Sequence, residues 1–191
     1  MNKFIWEKQN SLSSEFCKNT IYKFERDLRK VPGRTLGGIN DAVKKSTDLS
    51  LTQYINDWKT EDEIFYSSLQ EGWCEYKRYL TENLHSDIAN LNLNDTGYQL
   101  QRTMGGEGYY NWHHDFTRDN INGTRRVTFI WYLNTVEGPG GETEFIDGTK
   151  IKPEEGKLIF FPATWDFIHR GIMPPKGTIK YLCTGWMYAL E

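Results

Sequence analysis

Residues 126–134 read RVTFIWYLN, a run of β-branched and aromatic side chains lying between an Asn122-Gly123 turn signal and the glycine- and proline-containing GPGGE at 138–142. Such a run fits an extended strand. Outward from it, similar short runs recur between Tyr98 and Tyr188: YQLQR, YYNWHH, GETEFI, TKIK, KLIFFP, WDFIHR and TIKYLCTGWMY. Eight short strands separated by turn residues predict a jelly roll or barrel, because a parallel sheet would need crossover helices between them.

Before about residue 90 the texture changes. Thr60-Glu61-Asp62-Glu63 is a capping-box pattern that predicts a helix start, and Phe65, Leu69, Trp73, Tyr76 and Leu80 follow at three- and four-residue steps. A weaker helix is expected over residues 15–28, with Phe16, Ile21, Phe24 and Leu28 on one side and Pro32-Gly33 as its stop. Residues 34–56 are ambiguous. The expected class is α+β, mainly β, with residues 1–90 a helical support within the same domain and residues 91–191 the β core.

A chain of 191 residues is long enough for one substantial core and short for two. Its formal charge of −3 and scattered Lys and Arg argue against a nucleic-acid partner. Cys17, Cys74 and Cys183 are widely spaced and form no C-x-x-C pair, which disfavours a disulfide framework or structural zinc and suits a reducing compartment. Neither a signal-like apolar run near the start nor a span of ~20 apolar residues is present, so the expectation is a soluble, cytoplasmic protein without membrane contact.

The chemistry concentrates in NWHHDF, residues 111–116. A turn, a buried hydrogen-bond cluster and a metal site all use such residues. In a strand, residues i and i+2 share a face, so His113 and Asp115 present an imidazole and a carboxylate to one point while His114 faces away. His169, at the end of WDFIHR, supplies a third ligand type. Two histidines and one carboxylate leave open positions on an octahedral ion, the arrangement of non-haem iron(II) oxygenases. A lone His-x-Asp is a weak signal, and His85-Ser86-Asp87 repeats it in a polar stretch that reads as helix-end and loop chemistry. Further on, alternation along TIKYLCTGW puts Lys180, Leu182, Thr184 and Trp186 on one face. A lysine aimed inward is costly unless it meets an anion, such as a bound dicarboxylate.

Together these residues resemble the iron(II)- and 2-oxoglutarate-dependent dioxygenases, most closely the prolyl 4-hydroxylase-like branch. The resemblance rests on His113-x-Asp115, distal His169 and the Gly177-Thr178-Ile179-Lys180-Tyr181 segment, with Tyr110 three before His113, Tyr-Leu-Asn at 132–134 and GPGGETEFI in support. It implies a double-stranded β-helix over residues 91–191 supported by the amino-terminal helices. It further implies iron(II) on His113, Asp115 and His169, and 2-oxoglutarate held at its far carboxylate by Lys180 with help from Tyr132 or Thr178. Tyr110 and Trp186 would join them in binding the co-substrate, Trp186 by shaping the pocket, and O2 would be consumed with release of succinate and CO2. Ascorbate (vitamin C) dependence belongs to the same expectation, as does a prolyl residue of a peptide or protein as substrate.

The chain departs from the family where another tyrosine commonly precedes Tyr-x-x-His; Thr103 or Met104 stands there. The 116–126 loop, FTRDNINGTRR, is expected to act as a lid. Three rivals remain open at this stage: a same-fold oxygenase of a free amino acid or other small metabolite, a non-catalytic metal-holding β-barrel that binds a partner, and a zinc hydrolase. Oligomeric state is not readable.

Overall fold

A computed structural model describes residues 2–35, 37–85 and 91–189. The first part of the chain forms β1 (Trp6–Lys8), α1 (Ser14–Arg26), β2 (Val31–Pro32), β3 (Lys44–Lys45), β4 (Thr47–Ser50) and α2 (Ile55–Leu84). Then come β5 (Asn94–Asp95), β6 (Gln99–Met104), β7 (Tyr109–His113), β8 (Arg118–Asp119) and β9 (Gly123–Tyr132). The last elements are β10 (Thr143–Phe145), β11 (Lys150–Ile151), β12 (Leu158–Pro162), β13 (His169–Gly171) and β14 (Ile179–Ala189). All eight expected strands form, as β6, β7 and β9 to β14.

The strands pair antiparallel in two sheets. The larger runs β1-β12-β9-β14-β6-β4-β2, with β5 beside β14 and β8 beside β9; the smaller runs β11-β10-β13-β7-β3. They face one another as a jelly roll and do not close into a barrel. Residues before 90 thus supply edge strands to both sheets as well as two helices, and the ambiguous stretch 34–56 contains β3 and β4.

Residues 127–133 of the run RVTFIWYLN are all buried and, Thr128 apart, hydrophobic, because both faces of the strand are covered. Val127, Phe129 and Trp131 pack in one core with Phe65, Leu69, Trp73 and Leu80 of α2, while Ile130 and Tyr132 join Phe145, Ile159, Phe161 and Leu182 in a second core between the sheets. The same alternation divides β12, with Leu158 and Phe160 toward the helices and Ile159 and Phe161 inward. α2 lies close on β12: a Cβ at Gly72 would stand 2.5 Å from Leu158 Cδ2, and Tyr76 stacks on Phe160 with ring centroids 5.4 Å apart.

The helix ends differ from the sequence expectation. α1 starts where Ser13 Oγ accepts the Phe16 N–H, and stops at Asp27, before Pro32-Gly33. Asp27 accepts hydrogen bonds from Arg29 and, at 3.1 Å, from the Trp58 indole, which ties the end of α1 to the start of α2. α2 begins at Ile55, directly after a 3₁₀ turn at Thr52–Tyr54, so Thr60 lies inside the helix and the capping box is not its start. Fully buried Leu51 and Trp58 anchor this entry, and their packing outweighs the local cap. Among the described residues no helix is long and apolar enough to cross a membrane.

Gly185 lies at the centre of β14, where an added Cβ would meet Phe129 Cζ at 2.5 Å and the Gly97 carbonyl oxygen at 2.6 Å. Backbone cannot yield as a flexible side-chain tip can. Gly185→Ala is expected to cost about 1–3 kcal/mol, read as a lowered denaturation midpoint with an unchanged slope; an unaltered midpoint would contradict this packing.

Candidate metal centre and its cavity

The sheet register assembles the site. His169 pairs directly opposite His113 between β13 and β7, and Gly171 opposite Tyr110, with a register shift between the two pairs. An outward-facing ladder accompanies that pairing: the Arg170 guanidinium stacks 4.5 Å from the Trp112 ring of β7 and binds Glu144 of β10, which also meets Lys150 of β11. Inside, the His113 and His169 rings lie 4.2 Å apart between centroids. Asp115, just past the end of β7, turns toward the larger sheet, where its Oδ2 accepts the Thr128 hydroxyl of β9 at 2.7 Å. His114 is exposed, as alternation predicts.

Each imidazole is oriented from behind. His113 Nδ1 faces the Asn111 carbonyl at 2.8 Å, and His169 Nδ1 faces the Phe167 carbonyl at 3.0 Å. Carbonyls only accept, so each Nδ1 carries its proton and each Nε2 offers a lone pair. Those Nε2 atoms stand 3.8 and 3.7 Å from different oxygens of Asp115. That is too long for hydrogen bonds and short enough for one ion to span. Among the described residues this is the cluster able to hold a metal, with its ligand atoms all within 4.8 Å of one another. Two imidazoles and a carboxylate suit iron(II) in a facial arrangement. Burial, with His169 adding to it, pushes the His113 pKa down to about 4. Burial also works to raise the Asp115 carboxyl, but the two histidines and Thr128 outweigh it and hold it below the usual carboxylate range.

A cavity of about 100 Å³ opens from these ligands and is lined also by Tyr110, Lys180 and Trp186. Tyr110 stacks on His113 with centroids 3.5 Å apart. The buried Lys180 ammonium donates to the Gly141 carbonyl at 2.8 Å, and burial pushes its pKa down to about 8 against the opposing pull of Glu142. Tyr132 and Thr178 are placed elsewhere. Tyr132 is wholly buried with its hydroxyl 2.7 Å from Thr143 Oγ1, and the Thr178 hydroxyl donates to the Pro175 carbonyl within a turn. Neither lines the cavity.

The 116–126 segment folds back as the β8–β9 hairpin. Arg125, at its end, stacks 3.6 Å from the Trp186 ring and donates to the Tyr188 hydroxyl at 2.7 Å, so the hairpin is strapped to the rim of the site. His85 is the exposed C-cap of α2, in agreement with helix-end chemistry, while Ser86 and Asp87 lie outside the described residues. Sequence reasoning passed over Lys44 and Gln101, which also line the cavity. Lys44 falls in the ambiguous stretch, where no period marks an inward face.

Residues 98–188 match the family model described as 2OG-Fe(II) oxygenase superfamily. No curated protein matches the sequence. Several solved structures share the fold. A viral collagen prolyl hydroxylase of Paramecium bursaria Chlorella virus-1 has a TM-score of 0.66 at 23% identity, covering 100% of this chain and 98% of its own. A Pseudomonas putida prolyl-4-hydroxylase has a TM-score of 0.65 at 17% identity, covering 97% and 93%. A Trichoplax adhaerens prolyl hydroxylase, solved with a hypoxia-inducible-factor peptide fragment, has a TM-score of 0.72 at 15% identity, covering 98% and 84%.

In the metal-free protein His113 takes up its proton only near pH 4, against an ordinary value of 6.5, so unfolding takes up a proton between those values. Stability is therefore expected to fall as pH drops from 6.5 toward 4, and His113→Gln should flatten that stretch. Denaturant midpoints measured in chelator across this range check it; parallel slopes for the two proteins would refute the assignment.

Proposed function

Residues 98–188 belong to the 2OG-Fe(II) oxygenase superfamily, which makes the chain a 2-oxoglutarate-dependent dioxygenase; on that premise we propose that it hydroxylates a prolyl residue of a peptide or protein. The observation that carries the reading is one cavity holding both the His113, Asp115 and His169 cluster and the buried cation Lys180. The prolyl hydroxylases that share its fold support the substrate class.

In this reading His113 Nε2, a carboxylate oxygen of Asp115 and His169 Nε2 hold iron(II). When bound, iron(II) with 2-oxoglutarate and O2 supplies the oxidising chemistry, with succinate, CO2 and the hydroxylated substrate as products. The chain's own part is orientation. The Asn111 and Phe167 carbonyls keep both Nδ1 atoms protonated, and Thr128 turns Asp115 toward the histidines. Lys180, poorly hydrated where it sits, offers its charge to the far carboxylate of 2-oxoglutarate, and a bound anion restores the solvation that burial removes. Tyr110 covers one face of His113 and keeps water from that side. Trp186, clamped by Arg125, walls the cavity toward the hairpin.

Anaerobic titration of the iron(II)-loaded protein with 2-oxoglutarate is expected to develop a weak visible charge-transfer band. The band should vanish in His169→Ala, and in Lys180→Ala should demand at least about tenfold more 2-oxoglutarate, equal to about 1.4 kcal/mol. With O2 admitted, proline-containing peptides should stimulate succinate release more than free amino acids do. Stimulation by free amino acids alone would replace the prolyl peptide with a small metabolite, and a folded, iron-loaded protein with no band would leave a binding module.

A further inference from the structure

The cavity contains a second buried ammonium group, which the mechanism above does not use. Lys44 is 4% exposed and lies in the cavity wall; behind it Asp48, 1% exposed, accepts its Nζ at 2.7 Å. The pair joins the two sheets, because Lys44 belongs to β3 of the smaller and Asp48 to β4 of the larger. Asp48 is well supplied with donors: besides Lys44 it accepts Gln99 Nε2 at 3.1 Å and Ser46 Oγ at 2.7 Å. Lys44 is not correspondingly satisfied. An ammonium has three donors, and among the described residues this one makes a single hydrogen bond, to Asp48.

The two lysines line the cavity on either flank of Tyr110. Lys44 is its partner in the β3–β7 register, with Nζ 5.3 Å from the ring centroid. On the other side Gly171 pairs with Tyr110, and a Cβ at Gly171 would stand 3.8 Å from Lys180 Nζ. Tyr132 and Thr178, the helpers expected from the sequence, do not line the cavity, and their hydroxyls are already engaged, by Thr143 Oγ1 and the Pro175 carbonyl. A buried ion pair rarely stabilises a fold better than apolar side chains of the same size. One whose cation faces a cavity, with its counter-ion held behind, is arranged to meet a ligand.

We propose that Lys44 is a second cation for the far carboxylate of 2-oxoglutarate, acting beside Lys180, with Asp48 fixing its position; this rests on the functional reading above. The alternative role, a staple between sheets, touches no ligand. The two differ in their response to a truncated ligand. In 2-oxopentanoate a methyl group replaces the far carboxylate while the keto-acid end is unchanged.

The experiment titrates iron(II)-loaded protein anaerobically with 2-oxoglutarate and with 2-oxopentanoate, following the charge-transfer band. The variants are Lys44→Met/Asp48→Asn, which leaves no lone buried charge, and Lys44→Gln, whose amide still donates to Asp48 and keeps the fold should the double variant fail to form it. Each is expected to weaken 2-oxoglutarate by about tenfold or more while leaving 2-oxopentanoate within about twofold of wild type. Equal weakening of both acids, or of neither, would overturn the role of Lys44. A wild type that gives no band with either acid is a distinguishable result: the functional reading itself fails, and the role of Lys44 with it.

Discussion

One antiparallel register, His169 opposite His113 between β13 and β7, positions everything at the functional end of the molecule. Side chains alternate along a strand, so a slip of one residue would carry either histidine to the outer face. The outer ladder of Trp112, Arg170, Glu144 and Lys150 runs across β7, β13, β10 and β11 and defines the same register from the opposite side. Each such cross-strand contact contributes only about 0.2–1 kcal/mol. Their value lies in discrimination, since the alternative register would break all of them together and expose the imidazoles.

The larger sheet solves a different problem, which is how to keep polar groups between two apolar layers. Its outer face is committed to the helices. Its inner face carries Thr128, Thr184 and Lys180, each of which finds a partner: Asp115, the Phe129 carbonyl and the Gly141 carbonyl. The polar groups are therefore held in place before any ligand arrives, and little reorganisation is left for binding. Trp186 is held from two sides, its ring stacked by Arg125 and its indole N–H directed at the Asp115 carboxylate.

Much of this was legible in the sequence because it depends on a period of two. RVTFIWYLN, KLIFFP and TIKYLCTGWMY became β9, β12 and β14, and the alternation that chose His113 over His114 and aimed Lys180 inward holds in three dimensions. Long-range packing was less visible. The start of α2 is set by Leu51 and Trp58, whose burial no local cap pattern announces. β3 and β4 are two and four residues long, too short for any period to show, so Lys44 and Asp48 went unseen. Tyr132 lies on the inward face as alternation says, yet sharing a face is not reaching a cavity, and Thr143 takes up its hydroxyl.

The short strands that precede α2 also bear on what the β half of the chain is by itself. β4 covers the flank of β6, β3 that of β7 and β1 that of β12, and all three come from residues before 51. A fragment beginning at residue 91 would keep its histidines in sequence but present three bare strand edges, along with the aromatic face that the helices now cover. Unpaired edges of that kind recruit other chains. Cut at that point, the β half becomes a template for its own aggregation, so its solubility is borrowed from the amino-terminal segment that wraps it.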